Sequence, residues 1–122
     1  VVLIGVLLGI LEGSIGIALC GGLGAQANHG YDAELGPFAP TAAQTDKLAQ
    51  MLALLAVKLD LAIEPGTVLT HCEAALCDGY GPYSGDPQTR WDLWYMRDSP
   101  GDGTMKPGGQ VLRGKALWYL AR

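Results

Sequence analysis

His71, Arg90 and Asp92 are the residues of this chain whose types and spacing could do chemistry. The short β-branched and apolar run Thr67-Val68-Leu69-Thr70-His71 reads as a strand with the histidine at its end, and Glu73 follows two residues on. After a long loop comes Arg90-Trp91-Asp92. Imidazole and carboxylate oxygen are ordinary zinc ligands, and a strand-end His and an Asp beyond a loop can reach one ion. In an extended segment Arg90 and Asp92 point the same way. A cation beside a metal-bound carboxylate suits stabilisation of a tetrahedral oxyanion. The same residue types also serve as a satisfied structural histidine and a surface ion pair, so spacing alone leaves both readings open.

The cysteines offer a rival. His71, Cys72 and Cys77 cluster in sequence, and thiolate and imidazole are zinc ligands. Neighbouring residues of a strand point to opposite faces, which argues against His71 and Cys72 sharing an ion. His29 lies in the polar loop Asn28-His29-Gly30 and reads as a loop residue, and Cys20 reads as a small hydrophobe in a buried strand. Three cysteines are too few and too odd in number for a disulfide scaffold.

The elements that must position these residues follow from the hydrophobic pattern. Val1 to Leu11 is almost wholly apolar, and Val1 to Leu8 reads as a buried strand. It is short of the roughly 20 residues that span a bilayer, and reading on to Ala25 takes in Glu12, which is costly in lipid. No Lys or Arg precedes it as a signal peptide would require, and Leu19 before Cys20 fits a lipoprotein cleavage site poorly. Ser14 to Cys20 reads as a second buried strand, and Gly24 to Pro40 as a loop. Thr41 with Gln44 forms a capping box opening an amphipathic helix over Ala42 to Leu59, which presents Leu48, Met51, Leu52, Leu55 and Leu59. Strand, helix, strand implies a crossover unit. Cys77 to Gln88 reads as a loop, Arg90 to Arg97 as irregular or helical, Asp98 to Gly109 as loop. Val111 to Ala121 reads as a last helix packing Leu112, Leu117 and Tyr119 or Leu120. The expected fold is α/β, a central mixed sheet with the first helix on one face and the last on another.

The chain has 122 residues, one domain's worth, 49% of them hydrophobic and 16% charged, which is enough to bury a core. A net charge of −4 gives no basic patch for nucleic acid. Gly 18 and Pro 7 without a three-residue period exclude collagen and imply many turns. A start at Val1 is that of a processed product or of part of a longer polypeptide.

Ser14-Ile15-Gly16-Ile17-Ala18-Leu19-Cys20-Gly21-Gly22 resembles the central strand of the zinc-dependent N-acetylmuramoyl-L-alanine amidases, the family of amidase-type phage lysozymes (endolysins) and peptidoglycan recognition proteins. The helix opened by Thr41 and Gln44, the strand ending in His71 with Glu73 after it, and Arg90 two residues before Asp92 match that family's elements in order, across roughly Gly13 to Trp94. The resemblance implies that His71 and Asp92 are Zn2+ ligands and Arg90 the oxyanion-stabilising cation. It implies hydrolysis of the amide bond between N-acetylmuramic acid and L-alanine in bacterial peptidoglycan, at the cell wall outside the cytoplasm and in a bacteriophage setting. The loops Gly24 to Pro40 and Cys77 to Gln88 would border the groove, and Trp91, Tyr80 and Trp94 would offer aromatic surface to sugars.

The sequence also departs from that pattern. The family's first zinc His stands on an early strand, and Val1 to Glu12 holds none. Ala18 stands where one form of the family has its Glu base. The chain therefore resembles the C-terminal two-thirds of an amidase domain, with an open sheet edge for a partner chain to cover. His29 or Cys72 as third ligand stays open. The alternative function is an inactive amidase-like module that binds peptidoglycan or serves as a structural part of a phage or other assembly. A membrane-anchored protein is the weakest reading.

Overall fold

The computed structural model describes residues 2–5, 13–87, 89–98 and 103–122. Expectations that fall on the other positions, including Val6 to Leu8, Glu12 and Gln88, lie outside the described residues. The chain is a small mixed α/β domain with the order β1 (Val2–Gly5), β2 (Ser14–Ile17), α1 (Ala42–Leu59), β3 (Val68–Thr70), α2 (His71–Cys77), β4 (Tyr95–Arg97), β5 (Met105–Pro107) and α3 (Gly108–Leu120).

β1 is the middle strand of a three-stranded sheet ordered β2-β1-β3. It pairs antiparallel with both neighbours, Leu3 facing Gly16 on one side and Leu69 on the other. β2 and β3 therefore run parallel to each other with β1 between them, and the β2–α1–β3 crossover spans one strand. The expected mixed sheet is corrected to one whose neighbours are all antiparallel, because the strand between the two parallel partners runs the other way. β2 is an edge strand ending at Ile17, with Ile15 exposed, and not a buried strand to Cys20. Cys20 is exposed beyond its end.

The start of α1 is built by its own sequence. Thr41 is extended (φ −73°, ψ 158°) and its hydroxyl accepts the Gln44 N–H at 3.1 Å. Gln44 Oε1 in return accepts the Thr41 N–H at 2.9 Å, which completes the expected capping box. The Gln44 amide also donates to the Cys20 carbonyl at 3.0 Å and so ties the helix start to the segment after β2. The buried stripe is Thr45, Leu48, Ala49, Leu52, Ala53 and Ala56. Met51 and Leu59, expected in the core, are exposed. The core side of α1 is rich in alanine, and small residues let a second helix approach closely there.

That second helix is α3. Leu48, Leu52 and Ala56 share one core with Val111, Leu112 and Ala116, joined by Ile63, Val68 and Met96. Each fully buried Leu or Val contributes about 1.5–3 kcal/mol. α3 thus packs on α1 and does not cover a separate face. Leu117, expected to pack, is exposed, and of the alternatives Tyr119 and Leu120 it is Tyr119 that is half-buried; the inward stripe is Gly108, Gly109, Val111, Leu112 and Ala116. His71–Cys77, which follows the expected strand and precedes the expected loop, is helical. β4, in the stretch expected to be irregular or helical, pairs with β5, in the expected Asp98 to Gly109 loop, as a two-stranded antiparallel ribbon with Met96 opposite Lys106. Among the described residues no helix is long and apolar enough to cross a membrane.

Candidate functional site

β3 stops at Thr70 because Thr70 is already the cap of the next helix. Its backbone is extended (φ −77°, ψ 162°) and its hydroxyl accepts the Glu73 N–H at 3.2 Å. His71, expected as the last residue of a strand, is the first residue of α2. The change of backbone direction at this junction carries the imidazole out of the sheet towards the segment before β4.

Asp92 waits there. Its Oδ1 lies 3.4 Å from His71 Nδ1, with both side chains about one-third to two-fifths exposed. The segment holding Asp92 is a turn and not the extended run expected: the Trp94 N–H donates to the Trp91 carbonyl at 2.9 Å, and Leu93 is left-handed (φ 60°). A left-handed Leu costs energy and persists only where packing over-determines it. Here α3 begins against it, and Gly108 leaves the room this needs, since a Cβ at that position would collide with the Leu93 carbonyl. Arg90 is half-buried two residues before Asp92, and its backbone N–H donates to the Tyr80 carbonyl at 3.4 Å.

A cavity of about 240 Å3 opens beside Asp92, lined also by Trp91, Leu93, Tyr95, Leu19, Ala33 and Leu35. Ala25, Ala33, Leu35 and Pro40 of the Gly24 to Pro40 loop line this cavity, whereas the described part of the Cys77 to Gln88 loop does not. Of the expected aromatic contacts, Trp91 lines the cavity with Asp92. Trp94 instead stands edge-on between Tyr83 and Tyr95, at 5.4 and 5.7 Å between ring centroids. Tyr80 is half-buried, its N–H bonded to Ala75 at 3.1 Å.

The other sulfur and imidazole groups stand apart in character. Cys72 is fully buried, and burial first, then the Asp92 and Glu73 carboxylates, push its thiol up to about 12. A thiol so placed stays protonated, unlike a thiolate ligand. Cys77 is exposed. His29 is held by Asp32, which accepts its backbone N–H at 2.7 Å and faces Nδ1 at 3.3 Å. The His29 backbone N–H, foremost, holds the Asp32 carboxyl below its usual value. Among the described residues no group of three His, Cys, Asp or Glu is gathered as a metal cage.

Sequence reasoning missed Arg113. From α3 it donates Nη1 to Glu73 Oε2 at 2.7 Å and to the Val68 carbonyl at 2.9 Å. Glu73 Oε1 also accepts from Thr70 Oγ1 at 3.3 Å. Glu73 is therefore a brace under the first turn of α2 and not a free carboxylate beside His71. The one local hint was Gly108-Gly109, small residues where α3 must come close. Compared with family models, with curated proteins and with solved structures, the chain matches none.

Proposed function

We propose that this chain is a zinc-dependent N-acetylmuramoyl-L-alanine amidase domain acting on bacterial peptidoglycan. The observation that carries the reading is the 3.4 Å separation of His71 Nδ1 and Asp92 Oδ1. That is long for a hydrogen bond, whose N···O distance is about 2.7–3.2 Å. The separation suits two ligands of one tetrahedral zinc ion, for which bonds of about 2.0–2.1 Å would put adjacent ligand atoms about 3.3–3.4 Å apart, and it suits an ion pair between the two side chains equally.

The pair fits the donor chemistry of zinc, one imidazole and one carboxylate oxygen. His71 and Asp92 would hold the ion, and no third protein ligand is gathered beside them among the described residues. Bound there, zinc supplies Lewis acidity and a water acidic enough to ionise near neutral pH. The protein's share is position and charge. Arg90 brings a fixed cation to the segment that holds Asp92, suited to the oxyanion that develops as the amide carbonyl becomes tetrahedral. Trp91 presents an aromatic wall beside Asp92 where the sugar next to the scissile amide would lie. Leu93 and Leu19 narrow the apolar side of the same cavity.

The test is zinc content per chain by elemental analysis after dialysis against zinc, with His71→Ala and Asp92→Ala alongside, together with release of new amino termini from purified peptidoglycan. One zinc per chain that both variants lose, with amide cleavage by the wild type alone, is the expected result. A chain that takes up no zinc overturns the catalytic reading.

A further inference from the structure

We infer that the outer face of α1 and α3 is a docking surface for an anionic lipid bilayer, which takes up Leu54, Val57 and Leu120 while Lys47 and Lys58 meet the headgroups. α1 is apolar nearly all round. Its buried stripe is turned to the core it shares with α3, yet Met51, Leu54 and Val57 are exposed, Leu54 by 59% and Val57 by 62%. A helix apolar on both sides is ordinarily covered on both. Leu54 and Val57 are not isolated. With Ala53 of α1 and with Tyr119 and Leu120 of α3 they line one groove of about 240 Å3, so the two helices present a joint apolar surface and not scattered residues.

The charges of this layer point to what covers it. The chain carries a net charge of −4, yet α1 and α3 hold four basic residues, Lys47, Lys58, Arg113 and Lys115, against one acidic, Asp46. Arg113 is turned inward to Glu73. Lys115 shares its cavity with Asp46 and Asp98, which offset its charge there. Lys47 and Lys58 are exposed. With Met51 and Leu54 they are spaced by four, three and four residues, which sets them in one stripe along the helix. Lys47 Nζ donates to the neutral Gln50 amide oxygen at 2.9 Å, and Lys58 has no ion-pair partner among the described residues. Of the carboxylates near the stripe, Asp46 accepts the Tyr119 hydroxyl proton and, at 3.0 Å, the Gln50 amide, while Asp60 follows α1 as its C-cap.

A bilayer suits this face better than a second copy of the chain does. Antiparallel two-fold pairing of the stripe would set Lys47 of one copy against Lys58 of the other, whereas anionic headgroups neutralise both. The long lysine stems let Met51 and Leu54 sink below the charged heads. Trp118, half exposed on α3 with the Arg122 guanidinium 3.6 Å from its ring centre, is of the residue type that settles between headgroups and acyl chains. Helices that lie on a bilayer in this way enter it by about 5–10 Å and need no spanning length. The inference rests on α1 and α3 and not on the zinc pair.

The test is co-sedimentation of the whole chain with vesicles of phosphatidylglycerol and, separately, of phosphatidylcholine. The expected result is binding to phosphatidylglycerol alone, weakening as salt rises from about 0.1 M to about 1 M, where the screening length falls from about 10 to about 3 Å. Lys47→Gln with Lys58→Gln weakens it about 25-fold, at roughly fivefold per lysine. Leu54→Gln with Val57→Gln weakens it at least about tenfold. Leu23→Gln, at an exposed leucine of the segment after β2, leaves it unchanged, as does His71→Ala. Thermal melts confirm that each variant is folded. Absence of binding to phosphatidylglycerol, equal binding to phosphatidylcholine, or binding insensitive to both folded double variants overturns the inference. Self-association without vesicle binding, abolished by Leu54→Gln with Val57→Gln, overturns it in favour of a second copy. Because His71→Ala lacks a proposed zinc ligand, its unchanged vesicle binding separates this surface from the amidase reading, whichever way that test falls.

Discussion

Arg113 Nη1 lies 2.7 Å from Glu73 Oε2 while donating to the Val68 carbonyl at 2.9 Å, so one guanidinium joins α3 to the end of β3 and the start of α2. Val68 belongs to an edge strand, and the arginine occupies a carbonyl there that would otherwise need water. Removing the guanidinium leaves the Glu73 carboxylate, about three-quarters covered, without its counter-charge. Arg113→Met should therefore lower stability by about 2–3 kcal/mol, below the figure for a fully buried pair. Arg113→Lys should recover only part of that, because an ammonium lacks the fork. Urea denaturation with a constant slope is the measurement.

Gly109 and Gly114, five residues apart on α3, should respond in opposite directions to the same change. A Cβ at Gly109 would overlap the Glu73 carboxylate, so Gly109→Ala must displace the brace and should destabilise by about 1–3 kcal/mol. A Cβ at Gly114 meets nothing within 4 Å. Gly114→Ala in a helix interior should stabilise by about 0.5–1 kcal/mol. Paired thermal melts decide this, and a stabilising Gly109→Ala would refute the packing described.

The capping box predicts a local effect of known size. Thr41→Ala removes the acceptor of the Gln44 N–H and should cost about 1 kcal/mol. Thr41→Ser keeps the oxygen and should cost much less. Chemical denaturation of the two variants separates the cap from general disturbance.

Cys72 should be the unreactive thiol of the native protein. Cys20 and Cys77 are exposed, so two equivalents of a thiol reagent should react quickly and the third only on unfolding. Its thiol is raised by burial from an ordinary 9.0 to about 12. The folded state therefore binds this proton more tightly than the unfolded chain does. That contribution to stability is fully present below pH 9 and is lost as pH rises from there towards 12. Cys72→Ala should flatten the alkaline fall of unfolding free energy relative to the wild type, whatever its effect at pH 7.

Short-range features were legible in the sequence. Thr41 and Gln44 are three residues apart, and both halves of their box are made within one helical turn, so the start of α1 was set by residue types alone. The β-branched run before His71 marked β3 for the same reason. Burial was less legible: Met51 and Leu59 fit a helical apolar stripe as well as Ala49 and Ala53 do, and only the approach of α3 decides which stripe is inward. α2 was hidden because Thr70 continues the strand pattern while also being a competent cap, a choice settled by Glu73 finding Arg113 40 residues away. The ribbon of β4 and β5 was hidden because three-residue strands carry almost no periodicity and gain their hydrogen bonds only from each other.

The site divides along the same line. The residue types at positions 71, 90 and 92 and the chemistry open to them are properties of the chain as written. That His71 and Asp92 stand 3.4 Å apart is a property of the fold, because 20 intervening residues leave their distance free until Thr70 turns the backbone, Arg113 braces Glu73 and Gly108 seats the turn at Leu93. Local side-chain and backbone energies set elements within a turn of their origin. Contacts between distant residues exist only once the loops between them have been closed by packing, and no pattern in sequence specifies where that closure falls.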